Sequence, residues 1–257
     1  MSRSEPKFRD DVPRDVVALG GDYPDGHVIA PHQHRHGQLL YASAGVVLAT
    51  TSQGSFMMPP QRGMWIPPGV VHEVRMLGDV SIRSIYLAPD AIFGMPERCQ
   101  VVGISTLMHS LLAEAVELPA EYDLDGRAGA VMGLIQHEMR HLPPLPLSLP
   151  LPGNGALAVR CRDFLRAPTP HDTIDAWSET LGMSRRTFTR AFRRETGLSF
   201  VAWRQQACLM AALPRLAAGH PVTTIAIDLG YDNPAAFTTM FKRVLGASPR
   251  AYFDRAA

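Results

Sequence analysis

Twelve residues near the C-terminal end of this 257-residue chain occur twice. Phe188 to Ser199 reads F-T-R-A-F-R-R-E-T-G-L-S, and at an offset of 49 residues Phe237 to Ser248 reads F-T-T-M-F-K-R-V-L-G-A-S. Aromatic residues at i and i+4 share one face of a helix, and a glycine three residues past two cations is a natural helix end. Leu181-Gly182-Met183-Ser184 opens the first copy and Leu229-Gly230-Tyr231-Asp232-Asn233 the second, with Ser184 and Asn233 as good N-caps. Each copy therefore predicts a helix, a tight glycine turn and a second helix, which commits this end of the chain to short packed helices.

The two copies differ where a bound duplex would be read. With Phe188, Ala191 and Phe192 facing inward, Arg186, Thr189, Arg190 and Arg193 face out. A short helix behind a tight turn fits the major groove, where arginine donates two hydrogen bonds to guanine O6 and N7. Arg186 and Arg190 are the expected base readers, with Thr189 as a lesser one. Arg185, Arg193 and Arg194 are expected at phosphates. The second copy has Ala235, Thr238 and Thr239 at the reading positions and keeps cations at Lys242 and Arg243, with Arg250 following. Small residues touch a thymine methyl and threonine hydroxyls bond either way, so this copy positions more than it specifies. Ser199 is the expected cap of a long helix, Phe200 to about Ala218, that would hold two readers ~34 Å apart, one turn of B-DNA. Pro214 falls in its last turn and is expected to kink it.

Charge is divided in the same way. From Gly153 onward there are 14 Lys and Arg against 8 Asp and Glu; the first 152 residues hold 11 against 16. A basic half joined to an acidic half implies that only the C-terminal half seeks polyanions, and with the helix-turn-helix repeat there the expected partner is double-stranded DNA. Cys99, Cys161 and Cys208 have no zinc-type spacing and read as reduced, buried thiols. Met1 to Asp15 is polar, without a signal-peptide core, and no apolar run approaches the ~20 residues that cross a bilayer. The expectation is a cytoplasmic protein with no membrane partner.

Upstream, Gln38–Tyr41, Gly45–Leu48, Met64–Ile66 and Ile82–Leu87 read as short strands between Gly, Pro and Ser turns, a β-sandwich or barrel pattern. From Ile104 the period becomes helical. Ile104, Leu107, Met108, Leu111, Leu112 and Ala115 form one stripe, and Ala128, Val131, Met132, Ile135 and Met139 another. These helices either cover one end of the barrel or supply a homodimer interface. Five prolines between His141 and Gly153 predict an extended, semi-rigid spacer.

Two paired helical units joined by one helix, closing with G-Y-D-N-P-A-A-F over Gly230–Phe237, F-K-R over Phe241–Arg243 and G-A-S-P-R-A-Y over Gly246–Tyr252, resemble the AraC/XylS transcriptional regulators. The resemblance covers about residues 155–253. It implies a sequence-specific transcription factor, commonly an activator, that works with RNA polymerase and carries a small-molecule sensing domain ahead of the reader. Pro214 and Ser178, where alanine is usual, depart from the family pattern.

Pro31-His32-Gln33-His34-Arg35-His36 and Pro67-Pro68-Gly69-Val70-Val71-His72 resemble the two motifs of the cupin barrel. On a strand His32, His34 and Gln38 share a face, while His36 is off-phase and expected to be exposed. In metal-binding cupins the positions of His32, His34, Gln38 and His72 converge on one ion, and three histidines suit Zn, Fe or Ni. Gln38 replaces the usual Glu, a weaker ligand. Three readings stay open for this cluster: a divalent transition-metal site, a metal-free pocket for an organic effector, and structural hydrogen bonding. Trp65 and Tyr41 are expected in the core.

The expected fold is multidomain α and β: a cupin-like sensing barrel over 1–100, a helical connector and possible dimerisation segment over 101–141, a Pro-rich linker over 142–154, and an all-α domain over 155–257 with two helix-turn-helix units joined by a long helix. The expected function is a DNA-binding transcription regulator, not an enzyme, that responds to a small-molecule or metal effector. A metal-dependent cupin enzyme with a DNA-binding appendage and a DNA-architectural protein with a vestigial barrel are the alternatives.

Overall fold

The computed structural model describes residues 12–153 and 155–254, so the N-terminal reading of Met1 to Asp11 lies outside the described residues. The chain forms two compact units, one reaching to Leu145 but without Gln53–Ser55, the other made of Gln53–Ser55 and the chain from Pro146 onward.

The first unit is sheet-rich. In chain order the strands are β1 (Val16–Tyr23), β2 (Val28–His32), β3 (Gly37–Thr51), β4 (Gly54–Met58), β5 (Arg62–Ile66), β6 (His72–Leu87) and β7 (Gln100–Gly103). Helices α1 (Thr106–Ala115) and α2 (Arg127–Met139) follow, then β8 (Pro144–Leu145). The sheet runs β1-β6-β3-β5-β7-β8, with β2 also on β6. Where the sequence predicts several short strands, β3 and β6 are long, at 15 and 16 residues. Gln38–Tyr41 and Gly45–Leu48 are two halves of β3, and the register against β6 shifts between Ala42, Ala44 and Val46. Gly45 permits that bulge: its φ is 72°, and a Cβ there would stand 2.3 Å from the Asp79 carbonyl oxygen.

Strand alternation gives the sheet two faces. Leu39, Tyr41, Trp65, Ile85 and Leu87 share one core with Met108, Leu112 and Ala115 of α1 and Met132, Ile135 and Met139 of α2. The inward stripes of both helices are thus spent on the sheet. Leu107, expected in the α1 stripe, is 48% exposed. Gln38, Leu40, Ile82, Ser84 and Tyr86 line a cavity on the other face.

The Pro-rich segment is tied down rather than left as a spacer. Val101 and Val102 of β7 pair with Leu145 and Pro144 of β8; an edge position tolerates proline because its missing N–H faces away from the ladder. In the second unit Leu147 and Leu149 are buried, and Trp203 Nε1 donates to the Pro150 carbonyl at 2.8 Å.

The second unit holds β9 (Ser148–Leu149), α3 (Gly155–Arg166), α4 (Ile174–Thr180), α5 (Arg185–Thr196), α6 (Phe200–Ala217), α7 (Val222–Asp228), α8 (Pro234–Leu245) and α9 (Pro249–Asp254). Caps set the ends. Ser184 Oγ accepts from Thr187 N, Ser199 Oγ from Ala202 N and Asn233 Oδ1 from Ala236 N. Gly197 and Gly246 close α5 and α8 in left-handed conformations, at φ 74° and 79°. The helical assignment of α6 runs through Pro214 to Ala217, late enough in the helix for the lost bond to be tolerated. Phe188 and Phe192 pack with Trp177, Phe200 and Trp203 in one aromatic core. Cys99, Cys161 and Cys208 are buried.

Phe192→Ala should therefore destabilise the helical unit by ~3–5 kcal/mol, whereas the exposed Arg193→Ala should change it by under ~0.5 kcal/mol. Chemical denaturation followed by tryptophan fluorescence measures both.

Candidate nucleic-acid interface and effector cavity

Helix α5 has two chemically distinct sides. Its rings face the core, while Arg185, Arg186, Thr189, Arg190, Arg193 and Arg194 are exposed. Among the described residues no side-chain hydrogen bond or ion pair engages Arg186, Arg190 or Arg193. Arg185 is held differently, its Nη1 alone donating to both oxygens of the Asp175 carboxylate at 3.0 Å each. Arg194 lies 3.2 Å from Glu195, and the Thr189 hydroxyl donates to the Arg185 carbonyl at 2.9 Å.

On α8 the exposed residues are Ala235, Ala236, Thr239, Lys242 and Arg243. Thr238, expected to face out, is half-buried; three residues before the buried Phe241, it shares that ring's side of the helix. Arg250 is exposed on α9.

The cavity of the sheet unit has a volume of about 470 Å³. Register places the histidines. His32 pairs with His72 across β2 and β6, and their ring centroids are 4.2 Å apart. His34 is not on a strand, since β2 ends at His32; the chain bends, and the Gly69 N–H donates to the His34 carbonyl at 3.0 Å. That bend also breaks the alternation, so His36 is buried rather than exposed. One ring nitrogen from each of His32, His34 and His72 lies within 4.8 Å of the others.

Each ring has its Nδ1 beside a backbone carbonyl: His32 to Ala30 at 2.9 Å, His34 to His36 at 2.7 Å, His72 to Val70 at 2.9 Å. A carbonyl only accepts, so Nδ1 carries the proton and Nε2 the lone pair in each neutral ring. His72 Nε2 is buried with no hydrogen-bond partner. Burial pushes the His72 imidazole down to about 4, which leaves it neutral at pH 7.

Gln38 stands behind His34. Its Oε1 lies 3.0 Å from His34 Nε2, and its Nε2 donates to Ser84 Oγ at 3.0 Å and to Tyr86 OH at 3.2 Å. With Nδ1–H already given to a carbonyl, His34 can donate to Oε1 only as the imidazolium; in the neutral ring the amide turns over and its NH₂ donates to Nε2. Register explains the network, because β3 and β6 pair Gln38 with Tyr86 and Leu40 with Ser84. Burial raises the Tyr86 hydroxyl to about 12, so it stays protonated. Sequence reasoning singled out His32, His34, Gln38 and His72 but missed Tyr23, Ser84 and Tyr86, which also line the cavity. Their signal, the alternation Ile82, Ser84, Tyr86, becomes readable only once the register against β3 is known.

A metal ion could be held by the three histidines. Zn–N bonds of about 2.0–2.1 Å require the nitrogens to close to ~3.3 Å from one another, a shift of about 1 Å per ring or less. The carbonyl partner on each Nδ1 is the outer contact that such ligands usually have, and the orphaned His72 Nε2 fits the same group.

Two family models match the chain: a helix-turn-helix domain over residues 177–255 and an AraC-like ligand binding domain over residues 15–125. The HTH-type transcriptional regulator NimR of Escherichia coli (strain K12) is 32% identical over 224 residues, covering 87% of this chain and 82% of the relative. The chain belongs to the AraC/XylS family of transcriptional regulators. The HTH-type transcriptional regulator RipA of Corynebacterium glutamicum is 30% identical over 105 residues, 40% of this chain and 31% of the relative. Among solved structures, ToxT from Vibrio cholerae matches 95% of this chain and 100% of its own at 10% identity and a TM-score of 0.39. This AraC/XylS regulator is a DNA-binding protein with a ligand-binding domain, and its relatives are regulators rather than enzymes. No described helix is long and apolar enough to cross a membrane.

Gln38→Leu removes three hydrogen bonds from a buried site and should destabilise the sheet unit by ~1–3 kcal/mol. Denaturant unfolding of the variant beside the parent gives the difference.

Proposed function

We propose that this regulator reads double-stranded DNA through two helix-turn-helix units, α4–α5 and α7–α8, joined by α6, and that an effector in the N-terminal cupin-like barrel controls that binding. The observation that carries the DNA reading is the exposed, unengaged pair Arg186 and Arg190 on a capped helix behind a tight turn. A guanidinium without a protein partner gives up nothing but water when it meets guanine. Arg186 and Arg190 read bases and Thr189 contributes less, its hydroxyl hydrogen being bonded to its own helix. Arg193 and Arg194 hold phosphates. Arg185 does so by exchanging its exposed ion pair with Asp175, a contact worth only ~0–1 kcal/mol. On α8, Ala235 and Thr239 meet base edges, Thr238 at most marginally, while Lys242, Arg243 and, from α9, Arg250 meet the backbone.

Residues 1–100 act in this reading as the sensing barrel and 101–141 as a connector whose outer face, with Leu107 and Leu134 exposed, supports a homodimer. Residues 155–257 are the reader, and RNA polymerase is the further partner. Arg190→Ala should relax base preference at one position by ~1–3 kcal/mol, and Arg243→Ala should weaken cognate and scrambled duplexes alike. Fluorescence anisotropy on duplexes selected from genomic fragments measures both; matched losses from the two variants would refute the assignment.

The effector is a small organic molecule in the cavity, held at its polar end by the imidazole acceptors, Ser84 and Tyr86, with Leu19, Ile29, Leu40 and Val74 along the apolar end. A second reading is favoured by the orphaned His72 Nε2: a divalent transition metal held by His32, His34 and His72, supplying a Lewis-acid contact for a ligand atom. Metal analysis after dialysis against Ni²⁺ or Zn²⁺ separates the two. One equivalent bound by the parent and lost in His34→Ala and His72→Ala is the metal outcome, and none bound by the parent leaves the organic one.

A further inference from the structure

A second cleft, of about 380 Å³, opens in the helical unit. It is lined by Arg204 and Gln205 of α6, by Ala236, Thr239 and Arg243 of α8, and by Tyr231. Arg204 and Arg243 both line this cleft, and among the described residues neither makes an ion pair with a carboxylate. The nearby Asp172 carboxylate is already occupied by Arg160 at 3.2 Å and by Trp177 Nε1 at 2.6 Å. Arg204 is fixed in place, with Nη1 donating to the Asp172 carbonyl and its guanidinium 5.8 Å from the centre of the Phe200 ring. Its Nε is buried with no hydrogen-bond partner. Burial raises the Tyr231 hydroxyl, and both Arg204 and Arg243 oppose that shift, which places both cations within electrostatic reach of it.

We propose that this cleft clamps a backbone phosphate of the duplex on which α8 lies, with Arg204 and Arg243 as its two cations. The proposal rests on the DNA reading above and deepens it. Two cations lining one cleft repel unless an anion joins them, and arginine forks match phosphate oxygens in pairs. The occupant follows from the wall. Ala236 and Thr239 belong both to the cleft and to the exposed side of α8, so a strand passing along that side runs over the opening. The clamp also accounts for the chemistry of α8. Where α5 carries Arg186 and Arg190, α8 carries Ala235 and Thr239. Small residues let the helix approach closely but supply little affinity, and a phosphate fixed from α6 supplies register and affinity together. Arg204 is thus a positioning residue that no repeat or motif in the sequence marks.

The test uses the full chain, a cognate duplex recovered from genomic fragments and a scrambled one, with anisotropy titrations between about 50 and 200 mM salt. Arg204→Gln is expected to weaken both duplexes about tenfold and to flatten the slope of log affinity against log salt by about one, while Arg204→Lys keeps most of that slope. Gln205→Glu places a carboxylate in the cleft without touching the Asp172 contact and should weaken both duplexes alike at an unchanged melting temperature. It decides the matter if Arg204→Gln does not fold. A folded Arg204→Gln with parental affinity and slope overturns the clamp, as does a loss confined to the cognate duplex. Inorganic phosphate that binds the parent but not Gln205→Glu, and leaves duplex affinity at matched ionic strength unchanged, assigns the cleft to a free anion and also overturns it. A parent chain that retains no duplex overturns the DNA reading and the clamp with it, whereas a parental phenotype in Arg204→Gln and Gln205→Glu overturns the clamp alone.

Discussion

The helical unit depends on the burial of one indole. Trp177 of α4 is fully buried among Phe164, Phe188, Phe192, Phe200 and Trp203, with ring centroids between 4.8 and 6.4 Å away. Those rings come from α3, α5 and α6, so the single side chain fixes three helices against a fourth. An indole N–H taken out of water needs an acceptor, and the Asp172 carboxylate provides it while also binding Arg160, whose guanidinium lies 4.8 Å from the Trp177 ring centre. The backbone carbonyl of the same residue then receives Arg204. Once the aromatic side of α5 is committed to this core, the arginines have only solvent left to face. The cationic surface proposed to face DNA is the geometric complement of a packing requirement.

A different constraint organises the sheet unit. A sheet apolar on both faces must bury both. One face takes α1 and α2, and the other closes around a cavity. Within the cavity, backbone carbonyls claim the Nδ1 proton of each histidine, so each neutral ring keeps its Nε2 lone pair for another partner, Gln38 in the case of His34. The result is a polar end that accepts, set against an apolar end that excludes water. Such a division orients a ligand in one direction and lets a single site weigh shape and donor chemistry together.

Much of this was legible because it is local. Helix ends at Ser184, Ser199 and Asn233 follow from hydrogen bonds spanning three residues. The inward rings and outward arginines of α5 follow from helical period alone. The H-x-H pair was legible as a cluster, though for a partly mistaken reason: His34 reaches the cavity through a bend after β2 rather than by strand alternation, and the same bend buries His36. Long-range contacts were not legible. The bulge at Gly45 merges two apparent strands into β3, and the prolines after His141 are drawn onto a sheet edge and onto Trp203, where composition alone suggested a spacer.

By itself the sequence determined which side of each helix is apolar, where the helices begin and end, that the basic charge belongs to the C-terminal half, and which residue types could gather into a polar cluster. All of these are set by neighbours a few residues apart. Tertiary structure alone decided which polar groups are already engaged: Arg185 by Asp175, Gln38 by Ser84 and Tyr86, Asp172 by a tryptophan and an arginine, and, among the described residues, Arg204 and Arg243 by no carboxylate. Partners separated by tens of residues meet only through strand register and helix packing, and the chemistry left over for a ligand is whatever those meetings leave unspent.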